Sequence, residues 1–159
     1  MKVCFVRHGP AVPRGSPGIE DVARPLTPEG RKKTREAARG IRALKLGITG
    51  IWTSPLPRAR ETAEILARAL RLPKPEVTDL LRPGAAPARM LGVARGECPA
   101  LVGHEPDLGE AVAFLTGGRA DAFPMKKAGL ALVELTRRGA RPAGALQLFL
   151  SPGALRKLR

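Results

Sequence analysis

The feature that most restricts this chain is a pair of short apolar runs, each meeting a glycine and a histidine at its end. They read Val3-Cys4-Phe5-Val6-Arg7-His8-Gly9 and Ala100-Leu101-Val102-Gly103-His104. An apolar run of this length, bounded by Gly or Pro, predicts a buried strand. In open sheets built from such strands, ligands bind just outside the carboxyl ends. The chain has 2 histidines. Both fall at these predicted strand ends, so the two imidazoles are expected to work together.

Strand and helix patterns alternate along the rest of the chain. Residues 2–7 form the first predicted strand, followed by a Pro- and Gly-rich loop over 9–25. Thr27-Pro28-Glu29 opens a helix, with Thr27 as cap and Pro28 in the first turn. Its apolar stripe is Ala37, Ile41 and Leu44. A strand over 50–54 leads through Ser54-Pro55 into a helix striped by Ala59, Ala63, Leu66 and Leu70. A minor strand is predicted over 77–81 and a short helix over 87–95. A strand over 99–103 precedes a helix opening at Pro106, with Leu108, Ala111, Val112 and Leu115 facing inward. Two strands over 129–135 and 145–150 follow, then a turn at Ser151-Pro152-Gly153 and a basic tail. This order predicts an α/β fold: three α/β/α layers around a mostly parallel sheet with an antiparallel edge.

The 159 residues suit a single domain spanning 1–159, large enough to build a core without disulfides or metal. Apolar residues make up 43% of the chain, which argues against disorder. No apolar stretch reaches the length of a membrane span. The opening Met1-Lys2-Val3-Cys4-Phe5-Val6 runs straight into Arg7-His8 without the pattern of a signal peptide, so a cytoplasmic protein is expected. Cys4 and Cys98 are expected to be free, buried thiols; no spacing supports a disulfide. The net charge of +14 raises the possibility of nucleic-acid binding. Tyr is absent, however, and the cations are scattered rather than interleaved with stacking aromatics, so no nucleic-acid partner is expected. The charge instead implies attraction toward anionic substrates or acidic proteins.

Arg7-His8-Gly9 carries the sharpest chemistry. Gly9 lets the backbone leave the strand abruptly, so neighbouring side chains can turn into one crevice. A guanidinium grips phosphoryl oxygens with a fixed fork of donors, and a neutral imidazole offers a lone pair. Arg58 lies in the first turn of the second predicted helix, where N–H groups and the helix dipole favour anions. Arg60, roughly 200° around the axis, faces elsewhere. His104 can donate to a phosphoryl oxygen or, if protonated, neutralise charge developing there. Arg24 either contacts substrate or tethers the loop. Glu105 either orients His104 or is an exposed helix-start acid, and Lys126-Lys127 reads as a solvated turn.

Taken in order, Arg7-His8-Gly9, Arg24-Pro25-Leu26-Thr27-Pro28-Glu29-Gly30, Ser54-Pro55-Leu56-Pro57-Arg58-Ala59 and Leu101-Val102-Gly103-His104-Glu105-Pro106 resemble the histidine phosphatase superfamily, branch 1. More narrowly they are similar to its phosphohistidine phosphatase SixA group. The resemblance covers nearly the entire chain and implies a phosphoglycerate mutase-like fold. It implies that His8 is the nucleophile of a two-step phosphoryl transfer, with Arg7, Arg58 and His104 holding the phosphoryl oxygens and with no metal or cofactor. Relatives acting on phosphate esters commonly carry a Glu or Asp general acid after the second helix. Here the nearest candidate is Asp79. An alkoxide leaving group needs a proton, whereas the imidazole of a protonated phosphohistidine departs neutral. The lack of a clear acid therefore favours a P–N substrate, expected to be a phosphorylated signalling or phosphorelay protein.

Three rival readings stand beside this one. The first is a phosphatase for a small phosphate ester. The second is a noncatalytic module binding phosphoproteins through the same basic pocket, which would not require the nucleophile His8. The third is a zinc site built from His8, His104, Cys4 and Cys98. Position 108 is Leu, so the second histidine of a metalloprotease helix is missing.

Overall fold

The computed structural model describes residues 1–137 and 142–158; Arg159, the end of the predicted basic tail, lies outside them. The strands are β1 (Lys2–Arg7), β2 (Gly50–Thr53), β3 (Glu76–Val77), β4 (Pro99–Gly103), β5 (Leu130–Arg137) and β6 (Ala143–Leu150). The helices are α1 (Pro28–Ala43), α2 (Pro57–Leu70), α3 (Pro87–Leu91), α4 (Asp107–Thr116) and α5 (Pro152–Leu155). All six strands join one sheet in the order β3-β2-β4-β1-β5-β6. The first four are mutually parallel, and β5 and β6 add an antiparallel edge.

Strand alternation sends successive side chains to opposite faces, and each face has its own core. Cys4, Val6, Ile51, Ala100 and Val102 pack under α1, α2 and α5. Val3, Phe5, Trp52 and Leu101 pack under α3 and α4. The predicted three-layer α/β/α arrangement is therefore the observed one. Among the described residues no helix is long and apolar enough to cross a membrane.

Local chemistry sets the helix starts as expected. Thr27 accepts from the Gly30 N–H at 2.9 Å, capping α1 beside Pro28. Three details differ from the sequence reading. The minor strand expected over 77–81 is only Glu76–Val77, because the Thr78 side chain caps a 3-10 turn over Asp79–Leu81 that buries Leu81. The helix expected over 87–95 stops at Leu91, before Gly92. The turn at Ser151-Pro152-Gly153 winds into α5, capped by Ser151, and plants Leu155 fully in the core.

The α1–α5 contact depends on Gly40, where a Cβ would collide with the Leu155 carbonyl. Gly40→Ala is expected to destabilise the protein by about 1–3 kcal/mol through overpacking, despite alanine's better helix propensity. Urea midpoints check this; an unchanged or raised midpoint would show that α5 yields without cost.

Candidate active site

The parallel register pairs Arg7 of β1 with Gly103 of β4, so the residues that follow, His8 and His104, emerge side by side. The His8 N–H donates to the Gly103 carbonyl at 3.1 Å, extending the ladder to the point where the chains diverge. The two imidazole centroids lie 5.2 Å apart. Arg58, at the start of α2, and Arg7 both act electrostatically on the two rings. The structure thus brings His8, His104, Arg7 and Arg58 together, and all but Arg7 are almost fully buried.

Hydrogen bonds assign the ring protons. His8 Nδ1 lies 2.7 Å from the Gly9 carbonyl, which can only accept, so Nδ1 carries the hydrogen and Nε2 keeps a lone pair. His104 Nε2 lies 2.9 Å from Ser54 Oγ. Ser54 is fully buried, and its oxygen already accepts from the Leu56 N–H at 3.3 Å. Its hydroxyl hydrogen has no other acceptor among the described residues, so it points at Nε2. That places the His104 proton on Nδ1, a buried atom without a protein partner.

Nε of Arg7 and Nε of Arg58 are likewise buried and unpartnered. Unsatisfied buried donors are rare and call for a physical reason. Among the described residues, the buried side-chain polar atoms without a partner are these three, all in this cluster. A tetrahedral oxyanion beside His8 would supply the acceptors they need.

The supports come from several elements. The Gly9 N–H donates to Thr62 Oγ1 at 2.9 Å, and that hydroxyl donates to the Arg58 carbonyl at 2.7 Å. One side chain of α2 thus joins the histidine turn to the helix that carries Arg58. A Cβ at Gly9 would collide with Thr34, so glycine is required there. Arg7 Nη1 donates to the Met125 carbonyl at 2.6 Å. Arg58 Nη1 donates to the Asp21 carbonyl at 2.8 Å, with Nη2 3.9 Å from its carboxylate.

Arg24 is committed to the loop: its Nη1 donates to the Val12 carbonyl at 2.7 Å and its Nε to Asp21 at 2.9 Å. These contacts are those of the tether. Asp79 is exposed and held by Arg82 at 2.6 Å. Glu105 is half-buried and takes backbone N–H groups of Gly109, at 3.1 Å, and Met125. It therefore braces the segment that fixes Arg7 and is not bonded to His104; burial raises its pKa. Lys126 and Lys127 are exposed. Cys4 and Cys98 are free and buried, with Cys4 inside the core below the histidines. Among the described residues no three His, Cys, Asp or Glu side chains gather closely enough to hold a metal ion.

Sequence reasoning missed Ser54, Thr62, Asp21 and the Met125 carbonyl as parts of the site. The strand-end position that singled out the histidines also marks Ser54. Thr62 lies four residues beyond Arg58 on the same helix face. Asp21 and Met125 arrive on loops with no local signal.

Comparison with known proteins places the chain. The family model for the histidine phosphatase superfamily, branch 1, matches residues 3–82. The chain belongs to that family. It is 43% identical over 137 residues to an uncharacterized Picosynechococcus protein, covering 82% of each. The structure of the protein histidine phosphatase SixA complexed with tungstate superposes with a TM-score of 0.78 at 30% identity, covering 98% of this chain and 99% of that one. A mycobacterial glucosyl-3-phosphoglycerate phosphatase, at 18% identity, covers 94% of this chain and 98% of its own with a TM-score of 0.73 and shares the fold. Family membership supports phosphatase activity on a phosphorylated substrate, and the fold is the phosphoglycerate mutase-like one.

Burial, foremost, and the nearby arginines push both histidines down to about 3. Each ring stays neutral in the folded protein while the unfolded chain takes up protons near the ordinary value of about 6.5. Their contribution to stability is therefore full above pH 6.5 and is lost as the pH falls toward 3, by up to about 1.4 kcal/mol per pH unit for each ring. Urea unfolding between pH 7 and 5.5 is expected to show this slope, reduced in His8→Gln and His104→Gln. Nitrogen-15 spectra of ring-labelled protein near pH 7 are expected to report hydrogen on Nδ1 of both rings. In Ser54→Ala the His104 proton is expected to redistribute toward Nε2. A wild-type His104 carrying hydrogen on Nε2 would reverse the assignment.

Proposed function

We propose that the chain hydrolyses phosphohistidine on a protein, in two phosphoryl transfers through His8. The observation that carries this reading is the neutral His8 ring, anchored by Nδ1, among three buried donors that lack partners.

In the first transfer the His8 Nε2 lone pair attacks phosphorus. The bond from phosphorus to the substrate imidazole breaks, and that nitrogen keeps the electron pair. With its other ring nitrogen protonated, the substrate leaves as neutral imidazole. Phosphorylated His8 still holds its Nδ1 hydrogen against the Gly9 carbonyl, so it in turn is a cation able to leave as neutral imidazole. In the second transfer water attacks phosphorus, the P–Nε2 bond breaks with its electron pair returning to Nε2, and both water protons leave on the product as dihydrogen phosphate. Arg7, Arg58 and the His104 Nδ1–H hold the phosphoryl oxygens throughout. Phosphoryl transfer calls mainly for such positioning and positive charge.

Two further observations support the P–N substrate and the protein carrying it. Among the described residues no carboxylate hydrogen-bonds either imidazole, and Asp79 is held by Arg82, so an alkoxide would leave without an evident proton donor. Val22, 53% exposed on the loop whose Asp21 braces Arg58, adds apolar surface suited to contact with a protein. The similar SixA structure holds tungstate, itself a tetrahedral oxyanion.

Rapid mixing with a labelled phosphodonor is expected to trap an acid-labile, base-stable phosphoprotein in wild type and none in His8→Ala. His8→Ala is expected to lose turnover by roughly 1,000-fold or more. Arg58→Ala, which removes a donor to the transferring group, is expected to lose about 100-fold to 1,000-fold in kcat. Phosphohistidine is expected to be hydrolysed faster than p-nitrophenyl phosphate or alkyl phosphates. A large preference for esters would overturn the leaving-group argument, and retained turnover in His8→Ala would remove the nucleophile.

A further inference from the structure

Beyond the phosphoryl site, α1 carries a second charged feature. From its second turn onward the exposed positions are Lys32, Arg35, Arg39 and Arg42, every one a cation. They follow the three-four spacing of one helix face and extend over about 15 Å at 1.5 Å per residue. The ion pairs of α1 are made elsewhere: Arg31 with Glu61, Lys33 with Glu29 and Glu36 with Arg156. Among the described residues the four ridge cations have no ion pair. Successive like charges at this spacing repel by about 0.2–0.5 kcal/mol each, so the row opposes helix stability and folding alone does not account for it.

Grooves flank the ridge on both sides. One of about 820 Å³ is lined by Arg39, Arg42, Lys45, Arg156 and Leu158, with one acid, Glu36, which Arg156 pairs at 3.8 Å. One of about 290 Å³ on the α2 side is lined by Arg35, Arg39, Ile65, Arg68 and Ala69. Arg39 borders both. The surface is thus a line of cations with aliphatic patches beside it and no aromatic side chain.

We propose that this ridge is a docking surface for an acidic α-helix of a partner protein. Carboxylates repeating every three to four residues on a helix match the cation spacing. Three of the four cations are arginines, whose forked donors suit carboxylates in bidentate pairs. Ile65, Ala69 and Leu158 receive the methylene and methyl groups that a protein helix brings and that a bare polyanion lacks. A single-stranded nucleic acid would call for stacking aromatics, and the grooves contain none. The ridge lies on the solvent side of α1, opposite the face that packs on the core, so docking and phosphoryl transfer are separable.

The probe is a fluorescein-labelled 18-residue helical peptide with glutamates along one face and alanine and leucine beside them, followed by anisotropy at physiological salt. Wild type is expected to bind it at least 10-fold more tightly than a scrambled peptide of identical composition. The triple variant Arg35→Gln/Arg39→Gln/Arg42→Gln is expected to lose at least 10-fold in affinity. Lys74→Gln/Arg89→Gln/Arg95→Gln, which removes the same charge from other exposed positions, is expected to lose less than 3-fold. Turnover of phosphoramidate by the ridge variant, relative to wild type, is expected to stay within twofold and reports that the fold is intact. Equal binding of the scrambled peptide, an equal loss in both triple variants, or tighter binding of oligothymidylate or polyphosphate than of the facial peptide would each overturn the proposal. None of these binding outcomes depends on the identity of the phosphorylated substrate.

Discussion

The structure depends on the burial of two uncharged imidazoles between two guanidiniums at the carboxyl ends of adjacent parallel strands. The register of β1 against β4 fixes it, because Arg7 opposite Gly103 leaves His8 and His104 as the next residues out. A low-dielectric setting strengthens every hydrogen bond the rings make and penalises every donor left unpaired. Each ring therefore has one nitrogen fixed, His8 Nδ1 by the Gly9 carbonyl and His104 Nε2 by Ser54. What remains is one lone pair and a set of unpartnered donors, complementary to an electrophilic centre bearing oxygens. Keeping the rings neutral matters as much as placing them, since a protonated His8 has no pair to offer.

A chain of short contacts turns this local geometry into a property of the whole fold. Thr62 bonds both the Gly9 N–H and the Arg58 carbonyl, so α2 cannot shift without moving the turn that carries His8. Asp21 lies within 4 Å of Arg14, Arg24 and Arg58, linking the loop after β1 to the same helix. Glu105 and Arg7 both hold Met125, which ties the start of α4 to the segment before β5. None of these braces belongs to one element alone. The site is a junction of loops held on a rigid sheet edge, as expected where ligands bind at strand ends.

Two groups of cations stand in opposite environments. Arg24 and Arg58 are buried and Arg7 is half-buried, and all three are bonded to backbone carbonyls or to Asp21. The row on α1 stays in water and unpaired. Buried guanidiniums keep full strength toward a phosphoryl group because solvent does not screen them. Exposed ones act over longer range and with less discrimination, which suits first encounter with an acidic surface.

The amino-acid sequence determined the elements, their alternation and the residues at the parallel strand ends. Apolar runs closed by Gly9 and Gly103, the Thr27-Pro28 cap and the stripe Leu108, Ala111, Val112, Leu115 are local signals, written in consecutive or periodic residues. They sufficed to predict the layered sheet and its antiparallel edge, and to put His8 and His104 at the ends of parallel strands. Tertiary structure alone decided which proton His104 carries, because that depends on Ser54, 50 residues away, and on a hydroxyl whose only free direction is set by packing. It also decided that Arg24 is occupied as a tether and that Leu155 closes the core against Gly40. Each of these rests on a contact between distant segments, and periodicity has no memory of distance.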